Sequence, residues 1–356
     1  MRVHMLRADG GGSGFYRIVQ PALAARGLGV DVTVSDSADV TGWQDWGGRN
    51  HIDRLHVDAD VLIVQRPLSE QMHAVAVQAQ AQGMAVVVEV DDDFHTVHKR
   101  NVAHDAVDPA HEPLHNRTWL TRTCAIADAL TVSTPRLLKY GEPGGRAVVV
   151  RNRLPYAALL HAPPLSPARG VIGWTGTVET HPADMQATKG ALAQVDAPIR
   201  VVGKLAGVAA ALAVPSDRVT LGSGWVENVP AYWAQVARNI GVGIAPLEVS
   251  KFNQAKSALK SLEYATLGIP FVASYLPEYQ RVVRDSGAGL LASSAGQWAR
   301  HLRTLLEDDN LYELMRKRGR DYAAQNTLEQ HTHEWTNVWE QAMKRRTARQ
   351  AAARTR

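Results

Sequence analysis

The sequence predicts an α/β fold built from two parallel-sheet halves, and three observations carry that prediction. Short apolar runs such as 61–65 (VLIVQ) and 84–90 (MAVVVEV) read as buried strands. Strands alternate with stretches whose apolar residues recur at helical spacing, the pattern of a parallel βα sheet. The alternation is interrupted at 156–169, rich in Pro and Ala, and then restarts. The domains expected are 1–155, a linker 156–169, 170–325, a returning helix 326–343, and a basic, disordered tail 344–356.

In the first half, 2–8 reads as a strand, 9–14 (DGGGSG) as a glycine-rich crossing, 15–26 as a helix and 30–34 as the next strand. Glycines at this crossing allow positive φ and close backbone approach to a ligand. The crossing matches neither the dinucleotide G-x-G-x-x-G nor the G-K-[ST] phosphate loop. Pro21 lies inside the expected helix, which therefore kinks or starts later. Residues 61–65 form a strand, 69–82 a helix and 84–90 a strand that runs into Asp91, Asp92 and Asp93. Three adjacent carboxylates need water, a cation or hydrogen bonds to offset their repulsion. They read either as a D-x-D metal site or as a cluster that binds hydroxyls and orients a helix start. His95, His98, His104, His111 and His115 follow in a loop, as polar surface or as metal ligands. A helix over 119–129, strands over 129–133 and 147–151 and a short helix to Tyr140 complete the half.

The second half has strands at 171–174, 199–202 and 219–221 and helices at 183–194 and 229–237. Then comes 244–274, strand, helix, turn and strand, with the helix over 253–267. Ala258, Leu259, Leu262, Ala265 and Thr266 share one side of that helix; Lys256, Ser257, Lys260 and Glu263 share the other. The polar stripe reads as a solvated face with a Lys260–Glu263 pair, or as a ligand site. In open α/β sheets ligands lie beyond the carboxyl ends of the strands, where helix N-termini attract phosphate. Helices over 297–306, 311–324 and 334–343 end the ordered chain, the last with Trp335 and Trp339 one turn apart.

The 356 residues, 45% apolar and 21% charged, are those of a folded chain of about two domains. No apolar run reaches the length of a membrane span, and no signal-peptide pattern opens the chain. The single cysteine, Cys124, excludes an intrachain disulfide and fits a cytoplasmic location; its helical setting reads as core packing. A net charge of +4 does not mark the whole chain as a nucleic-acid binder. The charge gathers in Lys344, Arg345, Arg346, Arg349, Arg354 and Arg356, a solvated extension or a weak contact for an anionic membrane or nucleic acid.

Ser257-x-x-Lys260-x-x-Glu263-Tyr264 followed by Gly268-Ile-Pro270-Phe-Val-Ala273 resembles the donor-site signature of GT-B glycosyltransferases, in particular the family 4-like group. The resemblance also covers Tyr16-Arg17 with Pro21, the strand ending in the three aspartates, the run from Ala127 to Pro155, and Gly173-Trp-Thr-Gly176. It implies two Rossmann-like domains facing a central cleft, with a last helix crossing back to the first domain. It implies transfer of a sugar from a nucleotide-diphospho-sugar, with retention and without a metal or other cofactor, Mg²⁺ not being required. Lys260 is then the cation of the diphosphate and Glu263 the ribose ligand, and Asp92 joins them as a catalytic residue on the acceptor side. Gly12, Gly14 and Arg17 approach the sugar; Asp91, Asp93, Gly176, Thr177, Lys204, Lys256, Ser257 and Tyr264 line the substrates; Trp225 and Val226 abut the base, although core packing serves Trp225 equally. The group's usual Arg and Lys after the first strand of the donor domain have no counterpart between Gly173 and Met185. A polysaccharide, lipid, protein or modified DNA remains open as acceptor. A non-catalytic nucleotide-sugar binder, an epimerase and a phosphorylase are the rival readings.

Overall fold

The computed structural model describes residues 1–43, 51–108, 110 and 116–354. The chain divides into two compact units, Met1–Val97 with Ala103–Asn152 and Leu328–Arg356, and His98–Val102 with Arg153–Thr327.

The first unit runs β1 (Arg2–Leu6), α1 (Gly12–Gly14), a π-helical turn (Phe15–Val19), α2 (Gln20–Gly27), β2 (Asp31–Ser35), β3 (Val40–Thr41), β4 (Arg54–Leu55), β5 (Val61–Gln65), α3 (Glu70–Ala81), β6 (Ala85–Val90), α4 (Asn116–Ile126), β7 (Ala129–Val132) and β8 (Ala147–Val149). Six strands pair in parallel in the order β2-β1-β5-β6-β7-β8; β3 and β4 form a small antiparallel pair. Every residue of β5, β6 and β7 is buried, as expected of strands covered on both faces. The Ser69 side chain caps α3 by accepting from the Met72 amide. Helical backbone begins at Gly12, earlier than the sequence suggests. The expected kink at Pro21 takes the form of the π-helical turn. Its wider hydrogen bond, from the Gln20 amide to the Phe15 carbonyl, makes room for a ring that would clash with a regular preceding turn.

The second unit runs α5 (Tyr156–Leu159), β9 (Ile172–Gly176), β10 (Ile199–Gly203), α6 (Val208–Leu212), β11 (Val219–Ser223), α7 (Val229–Asn239), β12 (Val242–Ala245), α8 (Lys251–Ala255), α9 (Leu259–Thr266), β13 (Phe271–Ser274), α10 (Pro277–Ser286), β14 (Gly289–Ala292), α11 (Ala295–Glu307) and α12 (Asp309–Ala324). Its six parallel strands are ordered β11-β10-β9-β12-β13-β14. A core around Trp174, Val201, Ile244, Trp298 and Leu302 fills it.

Two expected helices are broken. The stretch 183–194 forms two 3₁₀ turns, because Lys189 and Gly190 both take left-handed backbone. The stretch 253–267 divides at Lys256, whose backbone is extended, into α8 and α9. Asn253 of α8 is held by Asp184 and the Glu248 carbonyl, which fixes the short helix apart from the longer one.

The basic tail is also different from its expectation. A final helix, α13 (His333–Arg354), runs through it. Trp335, Val338, Trp339 and Ala342 enter the core of the first unit beside Met5, Ile63 and Val87. Arg345 donates to the carbonyls of Asp128 and Gly145, Arg346 to those of Asp60 and Gly83, and Arg349 pairs with the Asp128 carboxylate. An Ala-rich sequence and these bonds make helix the cheaper state. Arg356 lies outside the described residues, as does the side chain of Arg354.

Candidate functional site

The second unit gathers Lys260, Glu263, Tyr232, Trp174, His181 and Asp184 through β9, α7, α9 and the turn after β9. One helical turn separates Lys260 from Glu263, so both fall on the same side of α9. The Lys260 ammonium donates to the Thr175 carbonyl at 2.9 Å and lies 5.0 Å from the Trp174 ring centre. Burial pushes its pKa down to about 8, and Lys256 adds to the effect against the pull of Asp184 and Glu263. Glu263 is 5% exposed and accepts the Tyr232 hydroxyl at 3.0 Å. Burial, then the Glu263 charge, raises the Tyr232 phenol well above its usual range, so it serves as a neutral donor.

His181 Nδ1 lies 2.7 Å from Asp184 Oδ2. Asp184 Oδ1 accepts from the Asn253 side chain at 2.6 Å and the Glu248 amide at 3.0 Å. Burial alone would raise the Asp184 carboxyl, but these donors and His181 outweigh it and hold it below the usual range. Burial lowers His181 to about 4, assisted by Lys260 and Lys256 and opposed by Asp184. The chain folds tightly here: at Gly203, whose φ is 139°, a Cβ would sit 2.2 Å from the Gly176 carbonyl oxygen. The Lys204 amide donates to that same oxygen.

The first unit has a second polar cluster, at the carboxyl ends of β1, β5 and β6. Arg66 holds Asp91 through two 2.6 Å bonds, reaches Asp9 at 3.1 Å and lies 3.7 Å from Asp92. Its backbone is left-handed, with φ 45°, a strained conformation for a long side chain. Ser13 donates to Asp91 and accepts from Gln65. Asp93 takes a different set: Lys139 at 2.7 Å, Thr96 at 2.8 Å and Tyr140 at 3.1 Å. The repulsion among the three aspartates is thus offset by two separate cations, with Asp91 and Asp93 spent on internal partners.

Arg17 lies in the interior of the first unit. It is 1% exposed, pairs with the buried Glu89 at 2.6 Å, donates to the Val150 carbonyl and to Asn152, and lies 4.6 Å from the Trp335 ring centre. Burial raises Glu89 to about 7, with Arg17 offsetting only part of the shift. Tyr264 is likewise core: it is fully buried, donates to the Ile244 carbonyl, and covers Gly243. None of the glycines in 10–14 has positive φ. A Cβ at Gly14 would meet the Asp9 carbonyl at 2.0 Å, so its close approach is to the chain itself, whereas Gly12 is open.

Among the other expected residues, Thr177 is buried and bonds Thr180, and Gly176 ends β9. Lys204 is exposed, 3.9 Å from Glu179. Lys256 lies 4.7 Å from the Phe252 ring centre, and Ser257 occupies the break before α9. Trp225 is 60% exposed, which removes the core-packing alternative, and Val226 beside it is half-buried. His95 packs on Tyr140, and His104 pairs with Asp108. His111 and His115 lie outside the described residues. Among the described residues, the three-ligand grouping with spacing for a metal is His331, His333 and Glu334, which the sequence analysis does not single out. Arg66, Ser13, Glu89, Tyr232 and the His181–Asp184 pair are also missed. Only the last had a local signal, a histidine and an aspartate three residues apart just after a strand.

No protein-family model and no curated protein matches the chain. Solved structures do. The chain is similar to sucrose-phosphate synthase from Thermosynechococcus elongatus, at 16% identity and TM-score 0.62, over 96% of this chain and 99% of that one. It is similar to HepE of Anabaena in complex with UDP-glucose, at 13% identity and TM-score 0.64, over 98% and 100%. An alpha-glucosyltransferase in complex with UDP-glucose and DNA containing an abasic site matches at 15% identity and TM-score 0.56, over 91% and 95%. These likenesses show the fold, two Rossmann-like parallel-sheet units of the GT-B glycosyltransferase type. No helix among the described residues is long and apolar enough to cross a membrane.

Proposed function

We propose that this chain is a glycosyltransferase that binds a nucleoside-diphosphate sugar on its second unit and transfers the sugar to an acceptor. The observation that carries the reading is the position of Lys260. The loop after β9 has no Arg or Lys of its own between Gly173 and Met185, yet the Lys260 ammonium lies at the end of that strand, on the Thr175 carbonyl. A cation reaches the place where the diphosphate is expected although the local sequence supplies none.

In this reading Glu263, with one oxygen held by Tyr232, accepts from the ribose hydroxyls, and exposed Trp225 covers the base. Transfer breaks the bond between the anomeric carbon and the phosphate oxygen, which keeps the electron pair. Lys260, Lys256 and the N-terminal amides of α9 stabilise that charge as it develops. Retention at the anomeric carbon, charge compensation by these groups in place of a metal, and a cytoplasmic location belong to the same proposal. On the acceptor side, Asp92, 3.7 Å from Arg66, is the carboxylate assigned to the reacting sugar. HepE and the alpha-glucosyltransferase are described with UDP-glucose, which makes UDP the first nucleotide to try.

Thermal stabilisation by UDP, GDP, ADP, TDP and CMP, each with and without Mg²⁺, tests the reading. A ligand at a hundred times its Kd stabilises by about 2.7 kcal/mol. The expected result is a shift with one diphosphate, independent of Mg²⁺ and lost in Glu263→Ala. A shift that requires Mg²⁺ and disappears in Asp91→Asn or Asp93→Asn would move the site to the aspartates. The lack of a cation within the β9 loop favours a second reading, a non-catalytic binder; donor hydrolysis or transfer by the stabilised protein would exclude it.

A further inference from the structure

We propose that His181 is a ligand of the donor diphosphate and binds it as the imidazolium, so that donor binding draws one proton from solvent. The inference deepens the donor-site reading and rests on it.

The imidazole is built into the site. Asp184 anchors Nδ1 at 2.7 Å and is itself fixed by Asn253 and the Glu248 amide. A buried carboxylate at one ring nitrogen sets the tautomer and orientation of a histidine and leaves the other nitrogen to a ligand. The ring meets Trp174 edge-on, with centres 6.2 Å apart, and its Cδ2, next to Nε2, lies 3.7 Å from where a Cβ on Gly176 would be. The imidazole thus sits beside the end of β9, near enough to Lys260 and Lys256 for their charges to act on it.

The charged groups acting on the ring are Asp184 from its own turn, Lys260 from α9 and Lys256 from the break before α9. Burial and the two lysines oppose protonation and hold the ring down to about 4. With Nδ1–H on Asp184, neutral Nε2 is an acceptor and would face phosphate oxygens with a lone pair. Two phosphate charges reverse the balance: they compensate the lysines, attract the imidazolium and turn Nε2 into a donor. Because Lys260, pushed down to about 8, is already charged at pH 6, proton uptake at that pH belongs to the histidine.

The test is calorimetry of UDP-glucose binding to the full chain at pH 6.0 in MES and in Bis-Tris, whose ionisation enthalpies differ. Each phosphate of UDP-glucose carries one ester and the shared anhydride and keeps a single fixed charge across neutral pH, so the ligand adds no titration of its own. The expected result is uptake of about one proton per donor bound. Affinity should fall by up to tenfold per pH unit between the pKa of the ligand-free histidine, about 4, and that of the bound one, and level off above the latter. In His181→Asn, whose amide still donates to Asp184, binding weakens, uptake vanishes and the pH profile flattens. Measurable binding with the same heat in both buffers would overturn the inference alone. Failure of UDP-, GDP-, ADP- and TDP-glucose to bind at any pH would overturn the donor-site reading and this inference with it. If the variant does not fold, the two-buffer measurement on the natural chain still decides.

Discussion

The Lys260 ammonium donates to the Thr175 carbonyl at 2.9 Å, across 85 residues of sequence, and so brings a cation from α9 to the end of β9. Its charge is partly withdrawn from solvent, which makes it costly. A lysine whose folded pKa is depressed contributes stability above its unfolded value near 10.5, and loses it as pH falls through about 8. At pH 7 the charged side chain therefore weakens the fold. Lys260→Met is expected to stabilise the ligand-free protein at pH 7 by about 1–3 kcal/mol while abolishing diphosphate binding. The gain should shrink toward pH 10, which denaturant melts across pH would show.

The Tyr232 hydroxyl orients Glu263 at 3.0 Å. Tyr232→Phe should leave the fold intact and weaken nucleotide binding by about 10–100-fold, the size of one neutral-to-charged hydrogen bond. Glu263→Ala should lose the thermal shift altogether. Equal affinity in the Phe variant and the natural chain would remove Tyr232 from the site.

Arg17 and Glu89 test the first unit. Breaking this buried pair from one side, as in Arg17→Met, should cost about 3–5 kcal/mol because it strands a charge. The folded pKa of Glu89 is raised to about 7, so its contribution is fully present below the unfolded value of 4.5 and is lost as pH rises through 7. Glu89→Gln, neutral at every pH, should therefore compare more favourably with the natural chain at pH 8 than at pH 5.

Arg66 has one guanidinium shared among Asp9, Asp91 and Asp92 from a left-handed backbone. Arg66→Lys cannot reproduce the paired bonds to Asp91 and should destabilise the first unit by about 2–4 kcal/mol. Arg66→Lys combined with Asp91→Asn should recover part of that loss, because the carboxylate left without its fork is removed as well. A double-mutant cycle by urea melting reads the coupling.

The last helix gives a prediction without a ligand. Amides over 344–352 should exchange slowly, and replacing Arg345, Arg346 and Arg349 with Ala should lower the melting temperature, since each arginine is bonded to the first unit. Fast exchange there in the natural chain would return the segment to a frayed tail.

The strand runs, their βα alternation and the position of Lys260 and Glu263 one turn apart were legible because they are local. A buried parallel strand needs an unbroken apolar run, and one helical turn places residues three apart on one side. The break between α8 and α9 was not legible, since Asn253 is pulled aside by Asp184, 69 residues away. Nor was the burial of Arg17, whose partner Glu89 is 72 residues away, or the docking of the basic tail on Asp128 more than 200 residues back. The sequence by itself determined the strands of the two main sheets, most of the helices between them and which of their sides are apolar, because periodicity acts within a few residues. The tertiary structure alone decided the fate of the polar side chains. Whether a charge reaches solvent, a ligand or another buried charge depends on what distant segments place beside it, and that electrostatic balance is set only once the sheets have formed.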